Sequence, residues 1–153
     1  MGSISVADIA EAGVVGAGGA GFPTHVKLAA RADTVLLNAA ECEPLFHKDK
    51  EILRHHGEAV LEGLAAAMAL TGASRGVVGI KGKYGEVIDR LRPKLARNME
   101  IVPLRDAYPA GDELVLVYDC LGRVVPPGSI PLSVGAVVIN VETALNIAFA
   151  PNH

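Results

Sequence analysis

The hydrophobic pattern of the chain predicts strands and helices that alternate. Four short apolar runs predict strands, and the first shows no polar alternation, which is typical of a strand buried on both faces of a sheet. The predicted strands are Thr34–Asn38, Gly76–Ile80, Glu100–Leu104 and Ala136–Asn140. Helical spacing of apolar residues predicts the helices around them. These are Ser5–Val15 with Ser5 as its N-cap, Thr24–Ala30, Asp49–Leu70, Tyr84–Ala96, Gly111–Leu121 and a last helix that starts at Glu142.

This alternation predicts an α/β fold with a parallel four-stranded sheet and helices on both faces, because parallel strands need crossovers that are usually helical. Ligands of such sheets bind beyond the carboxyl ends of the strands. The polar residues at those predicted ends are Asn38, Glu41, Glu43, Lys81, Lys83, Arg105, Tyr108, Asn140, Glu142 and Thr143. Of these, Lys81 and Lys83 could contact a dinucleotide phosphate, but lysines after a strand are more often simply solvated. The sequence therefore predicts a candidate site at this edge.

A glycine-rich stretch lies between the first two predicted helices. Residues Gly16–Pro23 read Gly-Ala-Gly-Gly-Ala-Gly-Phe-Pro, and the first six carry no side chain larger than a methyl group. Such a run costs backbone entropy on folding, and packing gives no reason for it. Its bare N–H groups can closely approach a phosphate or a flat ring. A simple turn needs only one or two glycines, so we interpret the stretch as a ligand-binding loop.

The composition limits the functions that such a loop can serve. The chain has 153 residues, 50% hydrophobic and 20% charged, which predicts one domain with its own core over residues 1–153. A net charge of -3 with scattered basic residues, and an aromatic content of only 4%, argue against nucleic acid as a partner. No stretch predicts a transmembrane segment or a signal peptide. We therefore expect a cytoplasmic protein, associated with a membrane complex or a bacterial microcompartment only through partners.

Cysteine and histidine usage predicts no metal site. Cys42 and Cys120 stand alone in the sequence, whereas an iron–sulfur cluster usually needs four thiolates. We therefore expect this chain to hold no cluster. His47, Glu51 and His55 would share one face of a helix, but this spacing also arises by chance on polar helix faces.

The glycine spacing leaves a second kind of ligand open. Gly16, Gly18 and Gly21 fit the G-x-G-x-x-G pattern of a Rossmann dinucleotide site, and Glu41 follows about 20 residues later. That fingerprint must follow a strand, whereas the residues before this loop favour a helix. Because this context is missing, an NAD-binding Rossmann domain is only the alternative interpretation of the loop.

Four blocks of the sequence resemble one family, in the same order. They are Gly13–Lys27, Asn38–Pro44, Tyr108–Glu113 and Asn140–Thr143, so the resemblance extends over nearly the whole chain. The family is the N-terminal FMN- and NADH-binding domain of RnfC-like electron-transport subunits, including proteins like the cobalamin reductase PduS. The flavin-carrying subunit of respiratory complex I has a related domain. The resemblance implies a Rossmann-like flavin domain with its glycine-rich loop between helices, forming the N-terminal part of a longer iron–sulfur flavoprotein.

The resemblance also implies an oxidoreductase that transfers hydride from NADH to FMN and passes electrons to a downstream iron–sulfur domain or subunit. The implied catalytic residues are Tyr108 and Glu113, which would line the face where nicotinamide stacks. The implied cofactor-binding residues are Gly16, Gly18, Gly19, Gly21, Phe22, Lys27, Asn38, Glu41, Gly111, Asp112, Asn140 and Thr143. Of these, Gly111 and Asp112 would also line the nicotinamide face. Against the pattern of complex I, Ala40 replaces an aspartate and Leu28 a tryptophan. A flavin- or nucleotide-binding docking module without turnover is the alternative.

Overall fold

The elements of the fold follow the hydrophobic pattern closely. The computed structural model describes residues 5–11, 24–40, 48–106 and 112–150. The strands of this part are β1 (Thr34–Ala39), β2 (Arg75–Lys81), β3 (Met99–Leu104) and β4 (Ala136–Asn140). Its helices are α1 (Val6–Glu11), α2 (Thr24–Leu28), α3 (Lys48–Thr71), α4 (Gly85–Leu91), α5 (Glu113–Leu121) and α6 (Val141–Phe149). Short 3₁₀ turns cover Arg92–Lys94 and Pro131–Val134.

The four described strands form one parallel sheet in the order β3-β2-β1-β4. The chain adds β2 and β3 on one side of β1 and then crosses back to place β4 on the other side. In the resulting register, Asn38 on β1 lies between Gly79 on β2 and Asn140 on β4. The predicted parallel sheet is confirmed, and the ends of each strand lie within one residue of the prediction.

Helices cover both faces of the sheet, as predicted. On one face, α3, α4 and α6 share an apolar cluster with strand residues such as Val35 and Ile139. On the opposite face, α5 packs through a smaller cluster that includes Leu116 and Leu36. The close approach of α5 depends on Gly79, because a Cβ there would lie 2.9 Å from Leu116 Cδ1.

Several features of the helices differ from the prediction. The predicted helix Tyr84–Ala96 ends at Leu91 and continues only as a 3₁₀ turn, because Pro93 has no backbone N–H to donate to a carbonyl group in the preceding turn. In α3, non-helical dihedral angles at His56 introduce a kink that helical spacing does not predict. The last helix begins at Val141, one residue earlier than expected.

Side chains cap the N-termini of α1 and α5. The predicted N-cap Ser5 is confirmed, since its hydroxyl accepts from Asp8 N at 3.1 Å and the Asp8 carboxylate accepts from Ser5 N at 2.8 Å. These hydrogen bonds hold the pKa of Asp8 below its ordinary value. The helix predicted from Gly111 instead starts at Glu113, because Asp112 is its N-cap with extended backbone. Residues 12–15 of the first predicted helix lie outside the described residues.

A glycine sets the distance between α3 and α6. A Cβ on Gly63 in α3 would overlap the carbonyl group of Ala144 in α6. The two helices can therefore pack backbone against backbone at this crossing. This contact joins the helix that follows β1 to the helix that follows β4, and so fixes the first turn of α6 relative to the sheet.

An ion pair lies at the amino-terminal end of the strands, where β1 begins. The Asp33 carboxylate accepts hydrogen bonds from Thr34 Oγ1 at 2.6 Å and from Arg123 Nη1 at 2.7 Å. Gly135, with a φ of 82°, lies against it, and a Cβ there would be 2.5 Å from the Asp33 carboxylate. Burial alone would raise the pKa of Asp33, but the hydrogen bonds from Thr34 and Arg123 outweigh it and lower the pKa.

We expect the Arg123–Asp33 pair to stabilise the fold only while Asp33 is ionised. A carboxyl group whose pKa falls on folding contributes stability above its unfolded pKa of about 3.9, and this stability is lost as the pH drops through the folded pKa. Arg123→Met should therefore lower Tm by about 1–2 °C at pH 6, as for a half-exposed pair, and by less at pH 3. Thermal melts at both pH values measure this, with Asp33→Asn as the control. An Arg123→Met effect that stays constant down to pH 3 would contradict the assignment.

Candidate cofactor site at the carboxyl ends of the strands

Two asparagines lie side by side where the central strand β1 and the edge strand β4 end. Asn38 pairs in register with Asn140. Both residues are half-buried, and strand alternation puts them on the face covered by α5, together with Leu36 and Val138. Because neighbouring strands are about 4.8 Å apart, the two amides form one polar pair on an otherwise apolar sheet.

The two asparagines differ in how they bond to the backbone. Asn38 Oδ1 accepts from the backbone N–H of Ala40 at 3.0 Å, which turns the chain after β1. Asn140 occupies the N-cap position of α6, but its side chain makes no capping hydrogen bond. The Asn140 amide therefore lies at the positive end of a nine-residue helix without serving as its cap.

Lys27 brings a positive charge to the outer edge of β4. Its Nζ donates to the Val138 carbonyl oxygen at 2.9 Å, so it ties α2 to the strand two residues before Asn140. Two residues of strand span only about 7 Å, so this half-buried ammonium lies near the asparagine pair.

The first turn of α6 is held against the start of α3. Glu142 forms an ion pair with Lys48, with Nζ and Oε2 2.7 Å apart. Thr143 is only 3% exposed, and the next residue, Ala144, packs on Gly63. These contacts fix the helix that continues directly from β4 at the edge of the candidate site.

The N-terminus of α5 lies at the same edge, because a crossover helix begins where its strand ends. The Asp112 carboxylate accepts from the backbone N–H groups of Leu114 at 3.0 Å and Val115 at 3.2 Å. Asp112 therefore caps α5, a structural role that the resemblance does not imply. Glu113 follows it and is exposed to solvent.

Two lysines share one carboxylate at the ends of β2 and β3. Asp106 contacts Lys83 Nζ at 2.9 Å and Lys81 Nζ at 3.2 Å. The hydrogen bonds from Lys83 and Lys81 lower the pKa of Asp106, and the bond to Asp106 raises the pKa of Lys83. Lys81 is only 8% exposed, so its interpretation as a solvated lysine is wrong, whereas the 47% exposed side chain of Lys83 fits it.

Sequence reasoning missed the Lys81–Asp106 pair. The usable signal was the position of Lys81 directly after Gly76–Ile80, a run of apolar residues and glycines that is typical of a buried strand. A lysine that ends such a strand can stay within the core only if a carboxylate reaches it. Asp106 follows a different strand, so spacing along the sequence did not indicate it.

The structure describes part of the predicted site. It brings Lys27, Asn38 and Asn140 together around the ends of β1 and β4, with Thr143 in the adjoining turn. Eight predicted site residues lie outside the described part of the chain: Gly16, Gly18, Gly19, Gly21, Phe22, Glu41, Tyr108 and Gly111.

The alternatives fare differently. Residues 5–11, ahead of the glycine-rich loop, contain helix α1, whereas a Rossmann fingerprint needs a strand directly before its loop.

Within the described ranges, no three metal-ligating side chains cluster. His55 Nε2 lies 3.3 Å from Glu51, and His47 is outside those ranges. In the part of the chain that can be described, no helix combines the length and the apolar character needed to cross a membrane.

The chain belongs to the Nuo51 FMN-binding domain family, whose description matches residues 9–149. The matched residues run from α1 to α6 and include Lys27, Asn38 and Asn140. It confirms the predicted flavin domain.

Individual relatives agree with this family. The chain is 50% identical over 139 residues to the cobalamin reductase PduS of Citrobacter freundii, covering 91% of this chain and 31% of that protein. It is 40% identical over 146 residues to one subunit of the Na+-translocating ferredoxin:NAD+ oxidoreductase complex of Acetobacterium woodii, covering 92% and 33%. The air-oxidised NAD+-reducing NiFe hydrogenase has a similar structure, with a TM-score of 0.81 at 26% identity over 96% of this chain and 30% of that chain. The chain thus spans about a third of the length of these relatives.

Proposed function

We propose that this chain is the FMN-binding electron-transfer domain of an NADH-oxidising flavoprotein. The observation that carries the proposal is the polar group of Asn38, Asn140 and Lys27 at the carboxyl ends of β1 and β4. Ligands of parallel α/β sheets bind at this edge, and the family to which the chain belongs is named for FMN binding.

The chemistry of these residues suits FMN. The amides of Asn38 and Asn140 can both donate to and accept from the polar edge of a flavin ring or its ribityl hydroxyls. The Lys27 ammonium and the N-terminus of α6, which includes Thr143, favour a negatively charged group such as the phosphate. The bare N–H groups of Gly16–Pro23 would supply further contacts.

FMN, when bound, would supply the redox chemistry by accepting hydride from NADH and releasing electrons singly. The protein would position the two ligands and tune the flavin, and hydride transfer requires no acid–base side chain from it. Tyr108, Gly111 and Glu113 would line the nicotinamide face. The exposure of Glu113 at the start of α5 is compatible with a substrate that arrives from solvent.

An iron–sulfur domain or subunit would receive the electrons. This chain has only 2 cysteines, whereas a cluster usually takes four thiolates, and its relatives are about three times as long. The Acetobacterium woodii relative belongs to a ferredoxin:NAD+ oxidoreductase complex, which supports both NADH and a partner subunit. We accordingly interpret residues 1–153 as the FMN domain of a longer cytoplasmic iron–sulfur flavoprotein.

Anaerobic addition of NADH is expected to bleach the visible absorbance of the FMN-loaded protein. An absorption spectrum before and after NADH measures this, and dithionite serves as the control for complete reduction. If dithionite bleaches the flavin and excess NADH does not, the domain binds flavin without oxidising NADH, as the changed contacts at Leu28 and Ala40 would allow. A protein that stays colourless after incubation with FMN would contradict the flavin assignment itself.

A further inference from the structure

Lys81 is a buried charge at the edge of the candidate site. It ends β2 on the same face of the sheet as Gly79, which contacts α5. Gly79 pairs in register with Asn38. Lys81 therefore lies on the strand next to Asn38, two residues nearer the carboxyl end of that strand. Its side chain is only 10% exposed.

The ion pair of Lys81 does not neutralise this edge. Asp106 is shared by Lys81 and Lys83, so one carboxylate balances two ammonium groups and the cluster carries one net positive charge. The Asp106 side chain is also 53% exposed, so water partly screens its negative charge from the rest of the site.

Stability alone does not explain a lysine at this position. Removing an ammonium group from water is costly, and apolar residues of similar size often serve a fold as well as a buried ion pair or better. The preceding residues of β2 are apolar or glycine except for the first, Arg75, so an apolar residue would continue the pattern. The charge itself is therefore the feature that needs an explanation.

We propose that the Lys81 ammonium acts on the ring of the bound flavin, where it stabilises the negatively charged reduced form and raises the midpoint potential. This inference rests on the proposed function, because it requires FMN at the ends of β1 and β4. A positive charge near a flavin ring is one of the means by which a protein tunes the cofactor. The low-dielectric surroundings of Lys81 make its field stronger than that of an exposed lysine.

The test is the midpoint potential of bound FMN in Lys81→Met, measured by anaerobic dye-equilibrium titration. We expect the preference for reduced over oxidised FMN to fall about tenfold, which corresponds to a potential about 30 mV more negative for a two-electron couple. Lys83→Met is the matched control, because Lys83 shares Asp106 but is exposed, and its shift should be much smaller. Lys81→Arg should keep the potential of the parent.

Asp106→Asn supplies an independent test, which also serves if Lys81→Met fails to fold. It removes the compensating negative charge, so it should move the potential in the opposite direction, to less negative values. Loss of packing alone would not produce shifts of opposite sign. An unchanged potential in Lys81→Met, together with a lower Tm, would overturn the proposal and make Lys81 purely structural.

A comparison of FMN with riboflavin, which lacks the phosphate, shows whether Lys81 acts on the flavin ring or on the phosphate. If Lys81 acts on the phosphate, Lys81→Met should weaken oxidised and reduced FMN equally and leave riboflavin binding unchanged, which would also overturn the proposal. If the parent protein binds neither flavin, the proposed function fails, whereas a flavin-loaded parent without the Lys81 effect refutes this inference alone.

Discussion

Replacing Gly63 with alanine is expected to lower the Tm of this domain by roughly 6–12 °C. The new Cβ would overlap the Ala144 carbonyl group, so the backbone of α6 must move away from α3. Overpacking that requires a backbone shift costs about 3 kcal/mol at the upper end of the usual range, and each kcal/mol lowers Tm by about 2–4 °C in a domain of this size. Thermal denaturation of the flavin-free protein measures the effect without a contribution from the ligand.

Gly85→Ala is the matched control for this substitution. Gly85 begins α4, and a Cβ there would meet no atom within 4 Å, so alanine should leave Tm unchanged or raise it slightly. Gly63→Ala should also weaken FMN binding, because α6 carries Thr143 in its first turn and continues from Asn140. If the Gly63→Ala variant has the same Tm as the parent protein, α3 and α6 are not in backbone contact at this crossing.

Gly19→Val is expected to give a folded protein that no longer retains FMN. The proposed function requires bare backbone in Gly16–Pro23, and a branched side chain at position 19 would occupy the space of the ligand. It would also disfavour any left-handed conformation that the loop needs, at a cost of about 1–3 kcal/mol. Since the loop is outside the predicted strands, most of the loss should fall on binding. The flavin content of the purified variant and its Tm without flavin measure the two effects separately.

The control for Gly19→Val is Gly85→Val, which adds the same side chain where nothing lies within 4 Å of the new Cβ. That variant should retain FMN. Full flavin occupancy in Gly19→Val would show that the glycine-rich stretch is only a connector. Failure of Gly19→Val to fold, while Gly85→Val folds, would assign the glycines to packing.

The strands could be predicted from the sequence because each contains a short apolar run, and in β1, β2 and β4 that run is buried within the sheet. Thr34–Ala39 shows this well, since all of its residues except Asn38 are buried. Helix ends were harder to predict, because local groups override the apolar period. Pro93 ends α4 early, and Asp112 fixes the start of α5 by accepting two backbone hydrogen bonds.

Only part of the candidate site could be predicted in the same way. Asn38 and Asn140 end strands, so a parallel sheet necessarily brings them to one edge, but the pattern does not show that β1 and β4 are neighbours. The partner of the buried Lys81 is a carboxylate after another strand, Asp106, and such a tertiary contact has no local signal. The donor role of Lys27 toward the Val138 carbonyl group likewise depends on where α2 meets the edge of the sheet.

The pairing of β1 with β4 determines when the proposed FMN site can form during synthesis. Thr34 pairs with Ala136, about 100 residues later, so this part of the sheet forms after the more local β1–β2 and β2–β3 pairs become possible. Until then, the edge of β1 that β4 will cover remains open to other chains. Asn38 and Asn140 also come to lie side by side only after β4 has left the ribosome. If Asn38 and Asn140 hold FMN as proposed, flavin uptake is therefore a late event on the nascent chain, and a product truncated before β4 should lack flavin and aggregate.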